Sequence, residues 1–220
     1  MHSAVALVGG WAHPADQTGP AVTDMLESIG FAPTLVDHPD GLPEVLADQD
    51  LLVIHGCFFQ MLDDRYTPEQ REEFSYLSTS RFREAISGWV AAGRPVLAMH
   101  TAVLCFDDWD AWPAIAGAQW DWARSYHPPL EEVEVHMADD PRTAGLEGFT
   151  VSDERYTNLV LLPDVDVVAT ASSDGVIEPA AWIHRAGSAP VVYDALGHDA
   201  RSLGHSGHRA LVAQLLDQVL

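Results

Sequence analysis

The sequence predicts a three-layer α/β protein with a doubly wound, mostly parallel sheet and helices on both faces. Two observations carry this prediction. Short runs such as "SAVALVG" and "DLLVIHG" contain continuous stretches of Val, Leu, Ile and Ala instead of alternating with polar residues, which is typical of strands that are covered on both faces. Segments with helical periodicity separate these runs, and repeated strand–helix–strand units favour a parallel sheet.

The first half of the chain supplies most of the predicted parallel strands. The predicted elements are strands at 3–9, 32–38, 50–56 and 94–101, a helix near 19–29 that stops at Gly30, and a short helix at 42–49. Residues 57–79 are polar, irregular and long for a connection, so we expect a partly helical insertion near a site. An amphipathic helix is predicted over 80–93, with Ser80 as its N-cap and Gly93 as its stop.

The second half is predicted to extend the sheet with antiparallel strands. The run "LEEVEVHM" (130–137) alternates apolar and polar residues, which indicates an edge strand with one face in solvent. The remaining predicted elements are strands at 149–154, 166–172, 180–185 and 189–196, and a final helix over roughly 205–219. Because no repeat, low-complexity segment or linker is visible, residues 1–220 are predicted to form one domain.

Composition disfavours several classes of partner. Eleven Lys and Arg against 33 Asp and Glu give a formal net charge of −22, which would repel nucleic acid and anionic membranes. No apolar run is long enough to cross a bilayer, and the N-terminal segment lacks a signal peptide's basic region, so we expect a cytoplasmic protein.

Cys57 and Cys105 have no metal or redox spacing and are expected to be reduced thiols. The sequence leaves a homo-oligomer open.

Histidines stand where several predicted strands end. His13 follows the first strand, His55 ends the third, His100 and Thr101 end the fourth, and His198 follows the last. The carboxyl ends of parallel strands meet at one edge of a sheet, where ligands bind. Imidazole titrates near neutral pH and therefore suits proton transfer or metal binding. One such histidine is more often structural, so the predicted site depends on the convergence of several.

Four segments together resemble the trehalose-utilisation (ThuA-like) family: "LVGGWAHP", "PVLAMHTA", "VSDERY" and "VVYDALGHD". They match, in order, the family's Gly-Gly-x-x-His opening, its Gly-Leu-His-Ser-Ala-like turn, its Asp-Glu-x-Tyr segment and its closing Tyr-x-x-Leu-Gly-His-Asp. Ala98 and Met99 replace Gly-Leu, and Thr101 replaces Ser. The resemblance implies a flavodoxin-like fold similar to class I glutamine amidotransferases and a role in sugar metabolism.

The resemblance also bears on the reaction. The amidotransferase-like fold has a Cys nucleophile at the strand-to-helix turn where this sequence has His100. An imidazole does not readily form the thioester that glutamine hydrolysis requires, and His198 is followed by Asp-Ala instead of Pro-Glu. Cys57 and Cys105 both lie away from that turn. Glutaminase activity is therefore not expected.

The predicted function is an enzyme that acts on a sugar or keto-sugar, such as a trehalose-type disaccharide derivative. His100 and His198 are the predicted catalytic acid and base, and Glu154, in the segment that resembles the family, is the predicted catalytic carboxylate beside them. Isomerisation or epimerisation next to a carbonyl needs such groups, whereas glycoside hydrolysis is less favoured because no paired carboxylates are visible. The predicted substrate-binding residues are Trp11, His13, Cys57, Thr101 and Tyr156.

Two other functions stay open. No cofactor is predicted, but His13, His100 and His198, together with Glu154, could hold a divalent metal ion for hydrolase or lyase chemistry. Alternatively, the chain is a non-catalytic ligand-binding or assembly module on an amidotransferase-like scaffold, because a fold does not define a function.

The other histidines are not predicted to form the site. His205 and His208 share one face of a predicted helix, but the motif supplies no third metal ligand. His127 could line the same site from a rigid turn, but the interpretation as a residue of a surface loop is favoured. His136 and His184 alternate within strands and are predicted to be structural.

Overall fold

The computed structural model describes residues 1–220 and contains one large sheet flanked by helices. The strands are β1 (His2–Gly10), β2 (Phe31–Val36), β3 (Leu51–Cys57), β4 (Val96–Met99), β5 (Ala118–Gln119), β6 (Glu131–Met137), β7 (Phe149–Asp153), β8 (Val160–Leu161), β9 (Asp166–Ser173), β10 (Val176–Ala186) and β11 (Ala189–Asp194). The helices are α1 (Ala15–Ser28), α2 (Leu42–Val45), α3 (Pro68–Phe74), α4 (Ser80–Ala91), α5 (Trp112–Ala116), α6 (Ala200–Leu203) and α7 (Ser206–Leu216).

The large sheet has nine strands in the order β2-β1-β3-β4-β11-β10-β9-β6-β7. The pairs from β2 to β11 are all parallel, and the pairs from β11 to β7 are all antiparallel. Strands β5 and β8 form a separate antiparallel pair. The predicted α/β fold, with a parallel core and an antiparallel extension, is confirmed.

Alternate residues of the parallel strands face two different hydrophobic cores. Leu7 of β1 packs in the same core as Phe82 of α4, whereas its neighbour Ala6 packs in the core that contains Met25 of α1. All seven residues of β3 are buried. The continuous apolar runs in the sequence therefore reflect strands with a helical layer on each face.

Three details differ from the sequence-based expectation. Helix α1 begins earlier than predicted, at Ala15, and contains Pro20 in its interior. The N-cap of α4 is Thr79 instead of Ser80, because the Thr79 hydroxyl accepts the Phe82 N–H at 3.3 Å. Strand β6 is not at the edge, since β7 pairs with its outer side. Its alternating pattern comes from one solvent-facing side and does not report its position in the sheet.

None of the helices combines the length and the apolar character that a membrane span requires. The helices pack against the two faces of the sheet, and the hydrophobic core lies between them. Helix α3 is the exception, because none of its residues is buried.

The turn that leaves β1 depends on Gly10. Its φ is +88°, and a Cβ at this position would lie 2.3 Å from the carbonyl oxygen of Cys57 on β3. Gly10→Ala is expected to lower the free energy of unfolding by at least about 3 kcal/mol, because left-handed strain and a backbone clash act together. Urea denaturation followed by circular dichroism measures the loss.

Gly30→Ala is the matched control for this prediction. Gly30 also has a positive φ, +100°, but no atom lies within 4 Å of the position that a Cβ would occupy. Only the backbone strain remains, so we expect a loss of about 1 kcal/mol. Equal losses in the two variants would show that the close approach of β1 to β3 is unimportant.

Candidate functional site

Four histidines meet at the C-terminal edge of the parallel strands. His13 lies in the loop after β1, His55 in β3, His100 directly after β4 and His198 in the loop after β11. The ring centroid of His100 is 5.0 Å from that of His13, 5.3 Å from that of His198 and 6.3 Å from that of His55. The structure thus brings together side chains that are remote in sequence, at the edge where an α/β sheet binds ligands.

His100 occupies a strained turn. Its φ is +47°, a left-handed conformation that is unfavourable for residues other than glycine. The hydroxyl of Tyr193 donates to the carbonyl oxygen of His100 and accepts the N–H of Val103. The Thr101 hydroxyl donates to the carbonyl of Gly56 at 2.5 Å. These hydrogen bonds hold the turn, so the His100 ring has a fixed direction.

The surroundings of the His100 ring determine which nitrogen carries its proton. Nδ1 lies 3.2 Å from the carbonyl oxygen of Ala195, which can only accept, so Nδ1 is the donor. Nε2 then has a free lone pair, 3.2 Å from the Tyr156 hydroxyl and 3.3 Å from Nδ1 of His198. Burial, followed by repulsion from neighbouring imidazoles, holds the pKa of His100 well below its usual range. The ring is therefore neutral at pH 7.

Glu154 is the carboxylate of this cluster. Its Oε2 lies 3.3 Å from Nδ1 of His198 and 3.6 Å from Nε2 of His100, and its Oε1 lies 3.3 Å from Nδ1 of His127. The hydrogen bond to Glu154 raises the pKa of His198 above its ordinary value. The exposed fractions of the side chains are 12% for Glu154, 22% for His198, 42% for His127 and 0% for His100. The cluster is therefore open to solvent on the side of His127, His198 and Glu154.

His13 closes the inner side of the cluster. Burial, and then the charges of His55 and His198, lower the pKa of His13 to about 3. His13, His100 and His198 each direct one nitrogen to a common region, where the three nitrogens lie within 4.8 Å of one another. Together with the Glu154 carboxylate, these imidazoles can transfer protons or bind a cation.

Asp153 connects the two segments that carry Glu154 and His198. Its buried carboxylate accepts the backbone N–H groups of Glu154 at 2.7 Å, Gly197 at 2.8 Å and His198 at 3.3 Å. Three strands separate β7 from β11 in the sheet, so this carboxylate helps to join the end of the extension to the parallel core. No signal in the sequence singled out Asp153 for this role.

Replacing Asp153 is expected to affect both stability and the cluster. In Asp153→Asn an amide nitrogen takes the place of one acceptor oxygen and opposes a buried N–H. The free energy of unfolding should fall by about 1–3 kcal/mol. Urea denaturation measures this change, and Asp139→Asn, at an exposed position, should be nearly neutral. Equal stability of the two variants would contradict the role given to Asp153.

The other predicted substrate-binding residues are placed differently. Thr101 follows His100, but its hydroxyl hydrogen is directed to Gly56. Cys57 is buried in a small apolar cluster. Trp11 packs edge-on against Tyr66 of the 57–79 insertion, with ring centroids 5.6 Å apart. Tyr156 and His13 therefore join the histidine cluster, whereas Trp11 and Cys57 face other groups.

Neither cysteine is a thiolate nucleophile. Burial raises the pKa of the Cys105 thiol to about 12, and its Sγ donates to the carbonyl of Gly56 at 2.8 Å. Burial also raises the pKa of Cys57 well above its usual range. Because cysteine reacts as the thiolate, the thioester chemistry of glutamine hydrolysis has no nucleophile among these side chains.

The remaining histidines make local contacts. Nε2 of His208 lies 2.5 Å from Oδ2 of Asp194 inside the core, and His205 is the N-cap of α7. His184 bonds to the carbonyl of Ile115 at 2.8 Å, and His136 is exposed on β6. In contrast, His127 is exposed in its loop, but it also contacts Glu154, which periodicity could not indicate.

This fold and strand-edge site define a class: α/β proteins with a parallel core and an antiparallel extension, in which a histidine stands at the turn after β4. The sequence profile of the ThuA family, described as trehalose utilisation, matches residues 4–216. The chain belongs to this family, which implies a role in carbohydrate metabolism.

Solved structures agree with this assignment. A ThuA-like protein from Parabacteroides merdae superposes with a TM-score of 0.78 at 17% identity, over 99% of this chain and 89% of that one. A cytoplasmic protein from Salmonella typhimurium LT2 gives 0.67 at 10% identity, over 98% and 99%. A carbohydrate deacetylase gives 0.63 at 13% identity, over 100% of this chain but 32% of that one. At these identities the likeness establishes the fold alone. No curated protein matches the sequence significantly.

Proposed function

We propose that this protein is an enzyme that acts on a sugar or keto-sugar, such as a trehalose-type disaccharide derivative, by acid–base chemistry at Glu154 and His198. The observation that carries the proposal is the 3.3 Å contact between Oε2 of Glu154 and Nδ1 of His198 at the strand edge. Family membership supports the substrate class. The pair is partly exposed and can therefore touch a substrate.

The two groups have complementary roles in isomerisation or epimerisation beside a carbonyl. The Glu154 carboxylate removes a proton from the carbon next to the carbonyl, and the electron pair of that C–H bond forms the enediolate. The raised pKa of His198 favours an imidazolium that donates to the enediolate oxygen. In isomerisation the proton returns to the neighbouring carbon, and in epimerisation a proton returns to the opposite face of the same carbon. His198 regains its proton from the enediol hydroxyl that becomes the product carbonyl, so no further reactant is needed.

The groups behind this pair hold it in position. His100 has no exposed surface, so in this mechanism it supports His198 and Glu154 and does not contact the substrate. Burial, followed by the Glu154 charge, raises the pKa of Tyr156, which stays a neutral hydrogen-bond donor to His100. His100, predicted as a catalytic residue, is thus proposed to be a positioning residue.

The proposed substrate is a small, uncharged carbohydrate. The contacts of Glu154, His100 and His198 include no arginine or lysine that would bind a phosphate group. The net charge of −22 opposes binding to nucleic acid or to anionic membranes. Two buried free thiols, Cys57 and Cys105, agree with the proposed cytoplasmic location.

Turnover assays test the proposal. Purified protein is incubated with keto-disaccharides and the parent disaccharides, and products are followed by NMR in D2O, where exchange at the carbon beside the carbonyl reports proton removal. We expect exchange and product formation with a keto-sugar. His100→Ala should lower kcat more than it raises KM, because the ring positions catalytic groups.

The competing function is a binding module without activity. Calorimetry separates the two, because a module would bind a sugar and leave it unchanged. Saturable binding with no proton exchange and no product, for every keto-sugar and disaccharide, would overturn the proposed enzyme. Unchanged turnover in His100→Ala would overturn the role given to this cluster.

A further inference from the structure

We propose that His13, His100 and His198 form a binding site for one divalent transition-metal ion, with Zn²⁺ as the ion that best suits the ligands. Metal binding itself is independent of the proposed function, but the reaction it would serve rests on that function. The three nitrogens come from three different loops and lie within 4.8 Å of one another. Imidazole is a preferred ligand of zinc, and catalytic zinc sites often have three protein ligands.

The distances between His100, His198 and Glu154 fit a tetrahedral site, and the His13 nitrogen lies within 4.8 Å of the other two imidazole nitrogens. Zinc–nitrogen bonds of about 2.0–2.1 Å place two tetrahedral ligand atoms roughly 3.3–3.4 Å apart. Nε2 of His100 and Nδ1 of His198 are 3.3 Å apart. Oε2 of Glu154 lies 3.3 Å from the same His198 nitrogen and 3.6 Å from the His100 nitrogen. A carboxylate oxygen thus stands next to both imidazoles, near a fourth position.

The orientation of His100 also fits a metal ligand. Its Nδ1–H donates to the carbonyl of Ala195, so the lone pair of Nε2 faces the Tyr156 hydroxyl and Nδ1 of His198. A metal ion bound at this lone pair would replace the hydrogen bond from Tyr156. A hydrogen bond from the second ring nitrogen to a carbonyl or carboxylate is the usual support of a metal-binding histidine. The strained turn at His100 is held by Tyr193, so the position of this ligand is preorganised.

The position of His13 also fits a metal ligand. Its ring is only 4% exposed, and its neighbours at 5.0 and 5.1 Å are the rings of His100 and His198. The His13 ring thus completes a group of three imidazole nitrogens that one divalent cation could bind.

A bound metal ion would change the chemical roles of the side chains in the proposed reaction. It would polarise the sugar carbonyl or lower the pKa of a bound water. His198 would then hold the ion and no longer donate a proton, whereas Glu154, at the edge of the site, would still accept the proton from the substrate. His127, 3.3 Å from the other oxygen of Glu154, would orient that carboxylate.

The test uses the full chain without a His tag, stripped with a chelator and titrated with Zn²⁺ by calorimetry. We expect one equivalent to bind, and Co²⁺ to give the visible absorption of a tetrahedral nitrogen-ligated ion. His13→Ala should weaken Zn²⁺ binding by on the order of 100-fold or more. His136→Ala, at an exposed histidine on β6, should bind as the wild type does.

Replacing a buried ring can also unfold the chain, so a second variant is included. His198→Gln changes a partly exposed loop residue and should weaken binding similarly, with circular dichroism showing the fold intact. Wild-type binding weaker than about 10 µM, or unaltered binding in both variants, would overturn the inference. Tight Zn²⁺ binding without turnover of any sugar would support the site and overturn the proposed function. Turnover of a sugar by protein that binds no metal would overturn the metal site and support the proposed function.

Discussion

Glu154→Gln is expected to lower kcat/KM for a keto-sugar by on the order of 1,000-fold. The amide has nearly the same shape as the carboxylate, but it cannot accept a proton from the substrate. It also removes the charge that raises the pKa of His198. Because Oε1 and Oε2 together contact three imidazoles, no neighbouring side chain replaces Glu154. Steady-state kinetics and D2O exchange measure the effect.

Glu134→Gln is the matched control, since Glu134 is an exposed carboxylate on β6 that also lies near a histidine, His136. Its kcat/KM should equal that of the wild type. The stability of Glu154→Gln should change little, so a loss of activity would not reflect unfolding. If Glu154→Gln retained more than about a tenth of wild-type activity, proton transfer by this carboxylate would be excluded.

Much of the fold could be predicted because the parallel core has a strong local signal. Leu51–Cys57 is buried at every position, as the apolar run Leu51–Ile54 at its start indicates. The prediction that β6 is an edge strand was wrong for a physical reason. Alternating polarity shows that one face of a strand is exposed to solvent, but it does not show whether another strand, here β7, pairs with its outer side. The N-cap of α4 shifted by one residue because Thr79 and Ser80 are both suitable hydroxyl caps.

The inner part of the site could be predicted for a similar reason. In a parallel sheet, His13, His100 and His198 must reach the same edge once their strands are assigned. His127 and Asp153 could not be found this way. They belong to the antiparallel half, and its approach to the core depends on long-range hydrogen bonds such as Gly197 N–H to Asp153. No periodicity in the sequence encodes such a contact.

The second large effect is expected at the buried pair of Asp194 and His208, below the loop that carries His198. Nε2 of His208 donates to Asp194 at 2.5 Å, and Nδ1 donates to the carbonyl of Ser202 at 2.9 Å. Both side chains are fully buried. Asp194→Ala leaves the imidazole without its partner and should lower the free energy of unfolding at pH 6.5 by about 3–5 kcal/mol. Asp24→Ala, which breaks the exposed pair with Arg209, should change it by less than about 1 kcal/mol.

The same pair predicts a pH dependence of stability. Burial alone would lower the pKa of His208, but the charge of Asp194 and the hydrogen bond to it outweigh burial and raise the pKa to about 8. The pKa is thus higher in the folded chain than in the unfolded one, where it is near 6.5. The stabilisation is complete below pH 6.5 and is lost as the pH rises through 8. A difference of this size corresponds to about 2 kcal/mol.

His208→Gln isolates this contribution, because the wild type and the variant share every other titrating group. Unfolding in urea is measured for both proteins between pH 6 and pH 9, and the stability of the wild type relative to the variant should fall by about 2 kcal/mol over that range. The net charge and the two cysteines affect both proteins alike and cancel in the difference. A constant difference, or one that grows as the pH rises, would mean that the buried imidazole is neutral in the folded protein. Asp194 would then be a carboxylate held in the core without a cationic partner, which is the more costly arrangement.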